Sequence, residues 1–242
     1  MKQLLSLFLL VILFIAIPTK SMAQIVSGKI TYERRTNLYK KFKDNNIQEW
    51  ISKTEKNKID VFELLFNDSI SLFKEKESNE YDNMSWFTEK NTVYQNYKKG
   101  NRLTIKPIVG ELVYIADSLY KRKWKITDSK RIICGYNCRK AIWQPNDSTS
   151  IFAWYCNEIS ISTGPESFIG LPGAILGIAT EDGGIVYFAT RIENSSPDVS
   201  LMTPKKTKSK IFNPTELRAN LVKEFGKEKW GKAMIKNTFG YW

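Results

Sequence analysis

The sequence predicts a mainly β protein: a single curved antiparallel sheet or open half-barrel, with a C-terminal α-helix as its helical minority. Three observations carry that expectation. Short β-branched or alternating runs recur about every ten residues between Gly, Asn and Asp turn signals, the spacing of an antiparallel meander and not of βαβ units. Aromatic residues make up 13% of the chain, with seven Trp and eleven Tyr, which suits half-buried strands and excludes a disordered chain. A capped helix start stands near the C-terminus. No linker, repeat or low-complexity segment divides the chain, so residues 24–242 are expected to form one domain.

Residues 1–23 read as a secretory signal: Lys2, an apolar core from Leu4 to Ile17, Pro18, then Ser21-Met22-Ala23 with small residues at the cleavage positions. The apolar run is shorter than the about 20 residues a spanning helix needs. The mature chain is therefore expected to begin at Gln24, in the periplasm or outside the cell. No cysteine follows the cleavage site to take a lipid.

Ile25 to Tyr32 alternates as a first strand, with Val26, Gly28, Ile30 and Tyr32 on one face. Asn37 to Lys58 is charged and loosely spaced, a helix or irregular insertion. Val61 to Phe66 and Ile70 to Phe73 flank Asn67-Asp68-Ser69 as a hairpin. Glu75 to Asn83 is polar loop. Thr92 to Tyr97, Arg102 to Ile105 and Leu112 to Ala116 are three more strands, divided by Lys98-Lys99-Gly100-Asn101 and by Pro107 to Gly110.

Trp124 to Thr127 precedes an Asp128-Ser129-Lys130 turn, and Arg131 to Trp143 then reads as one long strand that places Ile132, Cys134, Tyr136, Cys138 and Ile142 on one face. Asn146 to Thr149 turns the chain into Ile151 to Cys156. Gly164 to Ile178 holds four of the thirteen glycines and two of the eight prolines. Within it, Pro172 and Gly173 have the chemistry of a type II turn, Pro fixing φ at one centre and Gly supplying positive φ at the next. It is either a structural turn feeding a buried strand or a loop that closes a ligand pocket. Ile175 to Thr180 and Ile185 to Ile192 make a last hairpin around Glu181-Asp182-Gly183-Gly184. Asn194 to Lys210 is a polar loop crowded with Lys205, Lys206, Lys208 and Lys210. Asn213-Pro214-Thr215-Glu216 starts a helix with Asn as N-cap, Pro at N1 and Glu at N3, and Leu217, Leu221 and Phe225 give it one apolar stripe. Gly226 is a stop, and a second short helix would carry Trp230, Met234 and Ile235.

The stretch Gly164 to Ile178, together with Ala153-Trp154-Tyr155, Glu158 to Ile161 and Gly135 to Ala141, resembles the GLPGLI family of exported proteins of Gram-negative bacteria. The naming turn here reads Gly170-Leu171-Pro172-Gly173-Ala174-Ile175, with Ala174 where the family has a second leucine. The resemblance is clearest from about Trp124 to about Ile192. It implies an exported protein and a motif turn at Gly164, Pro165, Gly170, Leu171, Pro172 and Gly173. No catalytic residue comes with it.

The chain contains no histidine, which excludes Ser-His-Asp and Cys-His catalysis, His-based zinc sites and imidazole acid-base chemistry. Ser71 to Lys74 and Ser118 to Lys121 match S-x-x-K without a K-T-G partner, as chance allows in a Lys-rich chain. No P-loop, dinucleotide fingerprint or EF-hand loop is present, so no cofactor is expected. Glu166, the one carboxylate in Gly164 to Ile178, is expected at the loop surface. Cys138 and Cys156 lie symmetrically about the Asp147 turn and are expected to form a disulfide, leaving Cys134 free and buried; three thiolates without a fourth ligand make a poor zinc site.

A formal charge of +12 points to acidic surfaces as partners and not, for an exported chain, to nucleic acid. The expected function is a non-enzymatic binding protein of the cell envelope holding an apolar or amphipathic small molecule or lipid in a curved sheet. An interaction protein docking to an outer-membrane protein is the alternative, and a carboxylate-only hydrolase a third. The chain is expected to be a monomer and not an integral membrane protein.

Overall fold

The computed structural model describes residues 24–42, 45–52, 55–78, 82 and 84–241; the expected signal segment lies outside the described residues. Twelve strands form one open sheet. The first, β1 (Gly28–Asn37), lies within it. From β1 the chain steps outward through β2 (Asn57–Phe66), β3 (Ile70–Glu75), β4 (Thr92–Asn96), β5 (Asn101–Ile108) and β6 (Glu111–Ser118), each antiparallel to the last. It then crosses to the opposite edge and returns through β7 (Lys125–Ile133), β8 (Tyr136–Asn146), β9 (Thr149–Cys156), β10 (Ala174–Thr180) and β11 (Ile185–Asn194). β11 closes on the free side of β1, and the short β12 (Ile211–Phe212) adds a parallel pair beside β6.

Register breaks at Thr31/Tyr32, Ile126/Lys130, Trp143/Asn146 and Ile175/Gly177 bend the sheet. The sheet stays open, with β7 and β12 as its edges. One side of the sheet holds the main core, in which Tyr32, Phe62, Phe73, Phe168, Leu171, Ile175 and Tyr187 are all buried. On the other face Met202, from the loop expected to be solvated, packs on Leu65 and Leu72.

Helices α1 (Leu38–Lys41) and α2 (Asn45–Ser52) fill the insertion before β2, where Leu38, Ile51 and Phe87 cluster. The C-terminal pair is α3 (Pro214–Phe225) and α4 (Lys229–Thr238). Asn213 caps α3 as its sequence demands, Oδ1 accepting from the Glu216 N–H at 2.9 Å. Leu217 and Leu221 of α3 and Ile235 of α4 then pack on Ile108 and Ile115 of β5 and β6.

Two local expectations are corrected, and one is borne out. Arg131 to Trp143 is not one strand: Cys134 (φ 50°) and Gly135 (φ 82°) form a two-residue turn with both centres left-handed, between β7 and β8. Val109 (φ 49°) and Gly110 (φ 82°) make the same kind of turn between β5 and β6. Asp128 to Lys130 is an irregularity inside β7 and not a turn between strands.

Candidate functional site

Alternation along β5 points Arg102, Thr104 and Lys106 to one side, where they line a cleft of about 430 Å³. Asn91 and Val93 extend this wall beside β4, and Ile115 and Asp117 extend it on β6. The opposite wall comes from the crossing segment Ser118 to Arg122, from Trp143, and from Glu166 and Ser167. The C-terminal residues Thr238 to Tyr241 stand at its rim. Trp143 meets Tyr241 edge-on at 5.5 Å and the buried Phe168 at 6.2 Å between ring centroids, and Trp143 and Tyr241 give the cleft an aromatic part.

Charged groups line the same cleft. Arg102 pairs with Asp117 at 2.9 Å, and Lys106 Nζ donates to the Thr238 carbonyl at 3.2 Å. Arg122 is different. It is 7% exposed, its guanidinium carbon sits 3.9 Å from the Phe168 centroid and 4.9 Å from that of Trp143, and it donates to Ser167 O at 2.9 Å. Among the described residues no carboxylate lies within ion-pair distance of it, and its Nε has no hydrogen-bond partner. Burial, aided by the charge of Arg102, pushes this group down to about 9. A desolvated cation–π contact returns about 2 kcal/mol, less than the several that an unpaired buried charge costs.

Behind the cleft lies a second set of buried charges. Arg34 of β1 donates to Asp60 Oδ2 through NH2 at 2.7 Å and Nε at 3.2 Å, and to the Glu89 carbonyl at 2.7 Å. Thr88 Oγ1 donates to the same carboxylate oxygen at 2.9 Å, and Lys58 pairs with Oδ1 at 3.1 Å. Burial alone would raise the Asp60 carboxyl, but Arg34, with Thr88 and Lys58, holds it below the usual carboxylate range. Tyr187 links this set to the cleft: its hydroxyl accepts from Arg34 at 3.4 Å and donates to Glu166 Oε1 at 2.8 Å. Burial, and then the Glu166 charge, push the phenol well above its ordinary value. Asn91 Nδ2 donates to Glu166 Oε2 at 3.0 Å.

Glu166 is thus 3% exposed, with φ 55°, and not at the loop surface. Its two oxygens are both engaged. Sequence reasoning also missed Arg34, Lys106 and Arg122, since Lys and Arg in short strands and connections read as solvated. The one available signal was the period-two placement of Arg102 and Lys106.

The motif turn falls mostly in the core. Leu171, Ala174, Ile175 and Leu176 are buried, as are Gly164 and Pro165, while Gly170 and Pro172 are exposed. Gly173 has φ 159°, close to extended and far from the about +80° of a type II turn. It needs glycine for another reason: a Cβ there would lie 2.0 Å from the Cys156 carbonyl oxygen. The left-handed position is Gly170, at φ 104°. The motif does not line the cleft; its neighbours Glu166 and Ser167 do.

All three cysteines are free thiols in the structure, where the sequence expectation pairs Cys138 with Cys156. The register that matches Arg139 with Tyr155 sets those two opposite one another. Burial, and then Cys156, push the Cys138 thiol up to about 12. Cys134 is exposed and not buried, because it occupies the hairpin turn. Among the described residues no group of three or more Cys, Asp or Glu is placed to hold a metal ion, and no helix is long and apolar enough to cross a membrane; the latter says nothing of crossing by strands.

Comparison with known proteins bears on this same region. Residues 143–177 match a family model. Its description is "Protein of unknown function (Porph_ging)", and the match spans β9 and the Gly170 to Gly173 turn that carries the resemblance to the GLPGLI proteins. No curated protein matches the chain. Among solved structures the chain is similar to PNGF-II in its P21 space group, at 18% identity and a TM-score of 0.55, over 81% of this chain and 33% of that one. PNGF-II in its C2 space group gives 18% identity and 0.51, over 77% and 30%. The chain therefore spans about a third of the length of the structures it matches, and the likeness is one of fold.

Proposed function

We propose that the chain is an exported, non-enzymatic binding protein of the cell envelope that holds an amphipathic small molecule or lipid in the cleft over β4 to β6. The observation that carries the reading is the cleft itself: about 430 Å³, within the range of small-molecule sites, with aromatic and charged side chains both in its lining. An apolar ligand closed in by Phe168 to Ile178 and by the α3 stripe is not supported. Phe168 and Ile175 are core residues, and Leu217 and Leu221 are already packed on the sheet. The ligand site moves to the polar side of those elements, and the ligand becomes amphipathic.

Binding is favoured over hydrolysis because the carboxylates at the cleft are occupied. Asp117 is held by Arg102, and both Glu166 oxygens accept hydrogen bonds. Docking to an outer-membrane protein stays as a second reading on one observation: β7 is an edge strand with Ile126 and Ile132 exposed. Export rests on the leader and on the resemblance to exported proteins.

The test is uptake of a neutral, environment-sensitive naphthalene probe by the full chain, purified as the cell leaves it. One equivalent should bind in the folded state, and Trp143→Ala should weaken uptake by about tenfold or more while Tm is followed separately. Uptake that begins only with unfolding would remove the cleft reading and leave docking as the better account.

A further inference from the structure

An arginine buried without an acid is incomplete. Arg122 stands where the crossing segment meets Ser167, and its guanidinium sits in the corner made by the edge-on rings of Phe168 and Trp143, held there before any ligand arrives. Two contacts to Ser167, at 2.9 and 3.4 Å, use part of a five-donor fork, and Nε remains unpartnered in a side chain more than nine-tenths buried. Of the basic groups that line the cleft, Arg102 is engaged by Asp117 and Lys106 pairs with Glu89 at 3.9 Å, whereas Arg122 has no carboxylate within ion-pair distance among the described residues. A pre-oriented fork with an open donor matches the geometry of a carboxylate or phosphate oxygen.

We propose that Arg122 is the anion seat of the cleft and that the ligand is an amphipathic oxyanion, its charged end on the guanidinium and its apolar part against Trp143 and Tyr241. The inference rests on the binding reading above and narrows it to a ligand class. The rings in the cleft's lining make a bare inorganic ion a poor fit for the whole space. Carboxylate and phosphate share the required chemistry, and the experiment separates an amphipathic anion from a bare inorganic one.

The test is calorimetric titration of the full chain with 2-naphthoate, with 2-naphthalenemethanol as neutral isostere, and with inorganic phosphate. Naphthoate should bind about tenfold or more tightly than the alcohol, and Arg122→Met should remove that advantage, so that the two ligands then bind within about twofold of one another. Equal binding of naphthoate and alcohol would overturn the anion seat yet leave the cleft reading standing. Naphthoate affinity that survives Arg122→Met would overturn it as well. Phosphate binding as tight as naphthoate would keep the seat at Arg122 and sink the amphipathic ligand, and with it the cleft reading. Should Arg122→Met fail to fold, the wild type decides: millimolar naphthoate should raise Tm where the same concentration of alcohol does not, and equal shifts would overturn the proposal.

Discussion

The two wings of the sheet bury different things. On the returning wing, β9 and β10 are apolar almost throughout, and Gly173 and Gly177 let backbone and rings approach closely, as Gly177 does beneath Phe188. On the outgoing wing, β2 and β5 bury Asp60 and Lys106, and the cleft opens over β4 to β6. The returning wing is held by close contact of uncharged atoms. The outgoing wing is held partly by compensated charge, and Arg122, in the segment that crosses from one wing to the other, is a buried charge with no carboxylate partner among the described residues. The family-model match, residues 143–177, falls on the returning wing, yet it includes Trp143, Glu166 and Ser167, which line the cleft together with residues of the outgoing wing.

That contrast breaks most readily at Asp60. Asp60→Ala leaves Arg34 buried without its counter-charge and should cost about 3 to 5 kcal/mol, read by denaturant unfolding. A loss below about 1 kcal/mol would mean that water, and not Asp60, balances Arg34. Gly173→Ala tests the other wing. Its Cβ meets a backbone oxygen that no side-chain rotation can clear, so a loss of up to about 3 kcal/mol is expected from overpacking, also by unfolding. An unchanged midpoint would show that the Cys156 strand yields freely.

The smallest effect is acid sensitivity. Asp60 is held below its unfolded pKa of about 3.9, so its contribution is fully present above that pH and is lost as pH falls through the lower folded value. Thermal unfolding from about pH 5 to pH 2 should therefore fall more steeply for the wild type than for Asp60→Asn. Parallel curves would place the acid-sensitive group elsewhere.

Much of the sheet was legible because its signals are local. Asn213 with Pro214 and Glu216 announced α3, and Gly183 at φ 68° closed the last hairpin as Asp-Gly-Gly foretold. The Cys134-Gly135 turn was missed because a cysteine at positive φ has no propensity signal, and the β-branched run around it reads as continuous strand. The site was missed for a different reason. Whether Arg34, Arg122 or Glu166 is buried depends on strands far away in sequence: Arg34 meets Asp60 and Tyr187, and Glu166 meets Asn91. No window of neighbouring residues contains that information.

The order in which the strands are connected also sets a timetable. Gly28 pairs with Asn194, so one flank of β1 stays without its neighbour until nearly all the intervening chain has been made. A nascent polypeptide holding β1 to β6 has a ready outgoing wing and a long open edge at β1, while β7 to β10 are a separate meander that meets β1 only through β11. Joining the two wings closes a loop of most of the chain, and until they join the β1 flank is an open edge that a holdase or a second nascent chain can reach.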